Sequence, residues 1–140
     1  MPLSYLITPN IPEAEVLTGY TISNKKDMIK AAKKILNMGS KNVLLKSGHL
    51  KNKMIFDVLA TKKGIKIFTK RKIRTKNTHG TGCTLSSALA TCLSQKKNIE
   101  KSCQISLRYV DRAIISAPRY GKGFGPLNHL VSFNLKNINV

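Results

Sequence analysis

A chain of 140 residues suits one domain, and its hydrophobic fraction of 41% is enough to pack a core. No apolar run approaches the roughly 20 residues of a membrane helix, so no membrane partner is expected. Three cysteines, Cys83, Cys92 and Cys103, form an odd count without CxxC spacing, which argues against a disulfide framework and against a cysteine zinc site.

The first β-prone run is Tyr5-Leu6-Ile7-Thr8, stopped by Pro9 and read as a buried strand ending in a loop. Nothing before it has the basic leader or cleavage site of a signal peptide, so a cytoplasmic location is expected. Pro12 and Glu13 then mark a helix start, and Gly19 its end. Asn24 can cap a second helix, whose apolar face is Met28, Ile29, Ala32, Ile35 and Leu36, with Gly39 as its stop. Asn42 to Lys46 is a short apolar strand. Strand, helix and strand in this order make a βαβ unit, which implies parallel pairing and a ligand site at the strands' C-terminal ends.

Residues Met54 to Ile73 read as a β-hairpin turning near Gly64. A loop runs from Thr75 to Gly82, followed by a helix over Cys83–Leu93 and another over Ile99–Ala117 that Pro118 ends. Cys92 and Cys103 fall on these helices as small buried hydrophobes. The segment Gly121 to Pro126 is a glycine-rich turn. No repeat and no linker is visible, so residues 1–140 are expected to form one domain.

The chemistry concentrates in Thr78-His79-Gly80-Thr81-Gly82-Cys83-Thr84, where two glycines flank Thr81 just before an Ala/Leu-rich helix. Glycine permits close backbone approach and unusual dihedrals. A helix start offers free N–H groups and the positive end of the macrodipole. Together they form an anion hole of the kind that holds phosphate oxygens. Cys83 at the helix N-terminus would have its thiol pKa lowered by that dipole, and a thiolate there can accept a proton from an attacking hydroxyl. A small side chain packing the first turn is the alternative reading of Cys83.

The net charge of +19, from 25 Lys+Arg against 6 Asp+Glu, attracts polyanions: nucleic acid, or ATP and phosphorylated substrates. The lysines are scattered, they accompany many Asn and Ile as AT-rich codons would produce, and no nucleic-acid recognition motif goes with them. A solvated basic surface is expected, and nucleic acid is not the expected partner.

Lys76-Asn77-Thr78-His79-Gly80-Thr81-Gly82-Cys83-Thr84-Leu85-Ser86 resembles the signature of the hydroxymethylpyrimidine and phosphomethylpyrimidine kinases of thiamine biosynthesis. Three further segments resemble that family in its order. They are Thr8-Pro9-Asn10-Ile11-Pro12-Glu13-Ala14, Val43-Leu44-Leu45-Lys46-Ser47-Gly48-His49, and Gly121-Lys122-Gly123-Phe124-Gly125-Pro126-Leu127-Asn128-His129. Ser47 stands where the family usually has Gly.

The resemblance implies an α/β, ribokinase-like three-layer αβα fold with a mainly parallel sheet, of which only the C-terminal, nucleotide-binding part is present. It implies Gly80, Gly82 and Cys83 as catalytic, Cys83 being the base. Lys46, Thr78, Gly80, Thr81 and Gly82 would bind ATP, and Asn10 and Glu13 would organise Mg²⁺, a cation that keeps its waters and takes few carboxylates. The implied reaction is ATP-dependent phosphorylation of hydroxymethylpyrimidine or its monophosphate. The family's pyrimidine-binding N-terminal part has no counterpart here. The chain therefore reads as half of a split kinase with a partner chain or a homodimer, as an inactive nucleotide-binding remnant, or as a fragment. Another ribokinase-like kinase, such as one for pyridoxal, is a further alternative.

Overall fold

A computed structural model describes residues 3–48, 53–118, 120 and 122–131. His49 and Gly121 of the motif segments lie outside the described residues. The chain forms two compact units, residues 1–72 and 73–140. Their junction, Arg71-Lys72-Ile73-Arg74, carries no glycine, proline or serine, so the sequence offers no linker signal there.

The first unit starts with residues 5–8, which pair in parallel with β1 (Asn42–Leu45). The Ile7 N–H donates to the Asn42 carbonyl at 3.2 Å, and the Leu44 N–H donates to the Ile7 carbonyl at 2.9 Å. This is the parallel pairing expected of a βαβ unit. The segment is only partly buried, however, and Tyr5 is 51% exposed. The difference from the expected buried strand has a simple cause: among the described residues only one edge of the segment has a neighbour.

Two helices make the crossover. α1 (Ile11–Thr18) begins in a capping box between Asn10 and Glu13 and ends at Gly19, whose φ of 76° is the left-handed conformation glycine tolerates. α2 (Lys25–Asn37) is capped by the Asn24 side chain, which accepts from the Lys26 and Asp27 N–H groups. Its apolar stripe buries Met28, Ala31, Ala32 and Ile35 in one cluster with Val43 and Leu45 of β1 and Val58 and Ala60 of β2 (Met54–Thr61). Each fully buried large side chain there contributes about 1.5–3 kcal/mol. β1 is buried at every position, which is why it reads as a continuous apolar run without alternation. β2 pairs antiparallel with β1 and with β3 (Gly64–Arg71), giving the order β1-β2-β3.

The second unit is a helix pair. α3 (Thr81–Ser94) and α4 (Ile99–Ile115) pack through Leu85, Leu89, Cys92, Cys103, Ile105, Leu107 and Val110. Ser102 and Ser106 are fully buried on α4, and the Ser106 hydroxyl lies 3.9 Å from the Cys92 sulfur. Asn98 caps α4 through the Lys101 N–H. The helix stops two residues earlier than the sequence suggests, because a residue preceding proline, here Ala117, is disfavoured in the helical region.

Candidate active site

In the second unit, the loop leading into α3 is held from both sides. Gly80 is the N-cap with φ 83°. Its carbonyl accepts the Thr84 N–H at 2.9 Å and the Thr84 hydroxyl at 2.8 Å. The Thr81 hydroxyl donates back to the Thr78 carbonyl at 2.6 Å, closing the turn that contains His79. The glycine-rich turn lies alongside: the His79 N–H donates to the Gly125 carbonyl at 3.3 Å. A Cβ on Gly125 would crowd the Asn77 side-chain oxygen, so a larger residue here would have to push that side chain aside.

These bonds leave the N–H groups of Gly80, Gly82 and Cys83 without a partner among the described residues. First-turn N–H groups point out of a helix's N-terminal end, where the macrodipole is positive. The arrangement fits the oxygens of a phosphate. Cys83 is the third residue of α3; its thiol is free and exposed, while Cys92 and Cys103 are buried as expected. Cys83 also rims a cavity of about 490 Å³, whose lining includes Thr84, Ser87, Thr91, Tyr109 and His129. That volume lies in the range of small-molecule pockets.

The first unit brings Asn10, Glu13 and Lys46 together. The Asn10 side chain accepts the Glu13 N–H at 2.9 Å, and the Glu13 carboxylate accepts the Asn10 N–H at 2.8 Å. Asn10 bridges in parallel to Lys46, whose N–H donates to the Pro9 carbonyl at 2.9 Å. The Lys46 ammonium has no partner among the described residues. Glu13 is exposed, and its second carboxylate oxygen is uncommitted among the described residues. No group of three or more His, Cys, Asp or Glu side chains forms a metal cluster among the described residues. The donor set, one carboxylate and one amide, fits a magnesium ion that keeps most of its waters and does not fit a fully protein-ligated cation.

Two features of the site were not visible beforehand. The Thr84 hydroxyl meets His129 Nε2 at 2.9 Å, and the Tyr109 hydroxyl donates to the His129 carbonyl at 3.0 Å. The only signal for this was the spacing of the Gly-Pro-x-x-His segment. Ser47 is the second. It is buried, its hydroxyl accepts the Phe56 N–H at 2.8 Å, and its own N–H donates to the buried Asp57 carboxylate at 2.9 Å. Lys96 is the one non-glycine with positive φ among the described residues, so serine at position 47 carries no left-handed strain.

Residues 1–128 match the family described as phosphomethylpyrimidine kinase. The chain belongs to that family. Among its relatives is the thiamine biosynthesis bifunctional protein ThiED of Geobacter sulfurreducens, 45% identical over 131 residues, a match covering 94% of this chain and 27% of that protein. The hydroxymethylpyrimidine/phosphomethylpyrimidine kinase of Bacillus subtilis is 39% identical over 140 residues, covering 99% of this chain and 51% of that one. Among solved structures, an ADP complex of Bacillus subtilis pyridoxal kinase superposes with a TM-score of 0.86 at 32% identity, covering 91% of this chain and 50% of that chain. The fold is α/β and ribokinase-like, and the chain represents part of that domain. It spans about half the length of the Bacillus kinase it matches. No helix among the described residues is long and apolar enough to cross a membrane.

Proposed function

We propose that this chain is the nucleotide-side part of an ATP-dependent kinase that phosphorylates hydroxymethylpyrimidine or its monophosphate on the route to thiamine diphosphate. The observation that carries the reading is the start of α3, where three N–H groups are unpartnered among the described residues and an exposed thiol occupies the first turn. The family membership supports it. The N–H groups of Gly80, Gly82 and Cys83, with Thr78 and Thr81 shaping the turn, hold the γ-phosphoryl oxygens and the charge that develops on them. Cys83, as the base, takes the proton of the substrate's hydroxymethyl group as its oxygen attacks phosphorus. The bond from phosphorus to the β-phosphate bridging oxygen breaks, and ADP leaves.

In the first unit, Lys46 offsets phosphate charge, and Asn10 and Glu13 hold magnesium through its water shell. The ion, when bound, neutralises phosphate oxygens. The use of ATP and the three cysteines without a disulfide pattern support a cytoplasmic reaction. The acceptor side of the pocket comes from sequence that the relatives carry and this chain does not match.

A second reading has pyridoxal as the acceptor, favoured by the likeness to a pyridoxal kinase. The test is transfer of labelled phosphate from Mg·ATP to hydroxymethylpyrimidine, to its monophosphate and to pyridoxal. It is run with the chain alone and with the unmatched part of the Bacillus subtilis kinase added. Cys83→Ala should lower turnover of the hydroxymethyl substrate by about 10²–10⁴-fold, the usual effect of losing a general base. Unchanged turnover would remove Cys83 from the chemistry, and preferential labelling of pyridoxal would establish the second reading.

A further inference from the structure

Six residues of the chain are acidic, and Asp57 is the one that is buried, at 4% exposure. It lies within β2 between Phe56 and Val58, an apolar place where a carboxylate is costly unless its oxygens are hydrogen-bonded. The Ser47 N–H donates to Asp57 Oδ1 at 2.9 Å. The pairing of β1 with β2 ends at Leu45 and Val58, so Asp57 is the next residue of β2 past that pair, beside the point where the chain leaves β1.

That bond holds the peptide group that follows Lys46. A residue has two soft backbone dihedrals, one on each side of its Cα, and together they set the direction in which its side chain leaves. The peptide before Lys46 is held by the Lys46 N–H, which donates to the Pro9 carbonyl at 2.9 Å. The peptide after it is held by the Ser47 N–H on Asp57. Pro9 precedes Asn10, whose side chain closes the capping box with Glu13. The Lys46 backbone is therefore clamped from two sides, by the loop that carries Asn10 and Glu13 and by the buried carboxylate of β2. Two further bonds keep the turn in place: the Ser47 hydroxyl accepts the Phe56 N–H at 2.8 Å, and the Gly48 carbonyl accepts from the Lys72 ammonium at 2.7 Å.

We infer that Asp57 is a positioning residue for nucleotide binding: its carboxylate fixes the backbone of Lys46 and so aims the Lys46 ammonium at the phosphates. Asp57 acts through Lys46 and not on the nucleotide. A carboxylate suits the task, because a charge-assisted bond to a main-chain N–H is shorter and stronger than a neutral one. The inference rests on the reading of Lys46 as the group that offsets phosphate charge, and its test separates the two.

The experiment is a double-mutant cycle on Mg·ATP affinity, measured by isothermal titration with the full chain. Asp57→Leu and Asp57→Asn both keep the shape of the side chain, and only the second keeps an oxygen that can accept the Ser47 N–H. Lys46→Met removes the ammonium. Lys46→Met and Asp57→Leu should each weaken binding by about tenfold, the worth of one hydrogen bond to a charged group. Combined, they should weaken it no more than Lys46→Met alone, to within about twofold. Asp57→Asn should bind as wild type does, within the same margin. If Asp57 serves packing only, Asp57→Leu leaves the affinity unchanged or adds its loss independently to that of Lys46→Met, and either result overturns the inference. Should Asp57→Leu not fold, Asp57→Asn decides, with exchange of the Ser47 amide read by NMR beside the titration. Protection of that amide and affinity for Mg·ATP must be kept together or lost together, and one without the other overturns the inference. A wild-type chain that does not bind Mg·ATP, or a Lys46→Met variant that binds it as tightly as wild type, removes the reading of Lys46 and the inference with it. Weakened binding in Lys46→Met beside unchanged binding in Asp57→Leu removes the inference alone.

Discussion

His129 Nε2 lies 2.9 Å from the Thr84 hydroxyl, which in turn lies 2.8 Å from the Gly80 carbonyl. The hydroxyl has one proton, and the Gly80 carbonyl can only accept, so His129 is the donor to Thr84. The glycine-rich tail is thereby tied to the N-cap of α3. Replacing His129 with Ala should destabilise the chain by about 0.5–1.5 kcal/mol, the net worth of one such bond. Thr84→Val should cost more, since it breaks both links. Urea unfolding of the single and double variants tests the link. A coupling energy of about 0.5 kcal/mol or more is expected for groups in contact, and simple additivity would mean the chain of bonds does not act as a unit.

Gly80 sits at φ 83° with nothing within 4 Å of where a Cβ would be. Substitution there is a question of backbone strain and not of space. Gly80→Ala should cost about 1–2 kcal/mol, the left-handed penalty for an L-residue. If the turn relaxes to escape that strain, the N–H groups at the start of α3 move with it. Affinity for a nucleotide analogue should then fall together with stability. Isothermal titration beside urea unfolding checks both, and unaltered affinity would separate the anion hole from this conformation.

Tyr20 places its ring beneath the ammonium groups of Lys30, at 5.0 Å, and Lys34, at 5.5 Å. Its hydroxyl is buried and has no hydrogen-bond partner among the described residues. Burial first, and the Asp27 carboxylate second, raise its pKa above the ordinary 10.0. A phenol whose pKa is raised on folding contributes stability that is present below pH 10.0 and is lost as pH climbs through the folded-state value. Spectrophotometric titration at tyrosinate wavelengths should find one late-titrating phenol that Tyr20→Phe removes. The same variant leaves the cation–π contacts in place and deletes an unsatisfied buried hydroxyl. It should therefore stabilise the chain by about 1 kcal/mol at neutral pH. A loss of stability would reveal a partner for that hydroxyl.

Much of the first unit was legible because its signals are local. Asn10 with Glu13, Asn24 and Gly19 mark helix ends through the donors and dihedrals they supply, and the stripe of Met28, Ala32 and Ile35 has helical spacing. The start of α3 was legible as Gly-Thr-Gly before an apolar helix, although the helix begins at Thr81, two residues before the expected Cys83. What could not be read depends on residues far apart in sequence. The His129–Thr84 contact spans 45 residues. The close approach at Gly125 involves the Asn77 side chain, which no periodicity connects to it. Ser47 reads as a departure from the family pattern until Phe56 and Asp57 are seen to satisfy its polar groups. The exposure of Tyr5 was equally hidden, because an apolar β-prone run looks the same whether one or both of its edges are covered.

The three cysteines supply a direct test of the site. Cys83 is exposed at the first turn of α3, whereas Cys92 and Cys103 are buried between the helices. An aromatic disulfide reagent should label one thiol in the native chain and three in denaturant. Mass spectrometry should place the native label on Cys83. Nucleotide bound at the N–H groups of Gly80, Gly82 and Cys83 would cover the thiol, so Mg·ATP should slow labelling several-fold while leaving the denatured reaction unchanged. Magnesium without nucleotide should not slow it, because the proposed magnesium residues, Asn10 and Glu13, do not hold the thiol. Protection by ATP in wild type that disappears in Gly80→Ala would tie the anion hole to the thiol beside it. Labelling at the same rate with and without nucleotide would mean that ATP binds elsewhere, and Cys83 would then lose its claim to the transferred phosphoryl group.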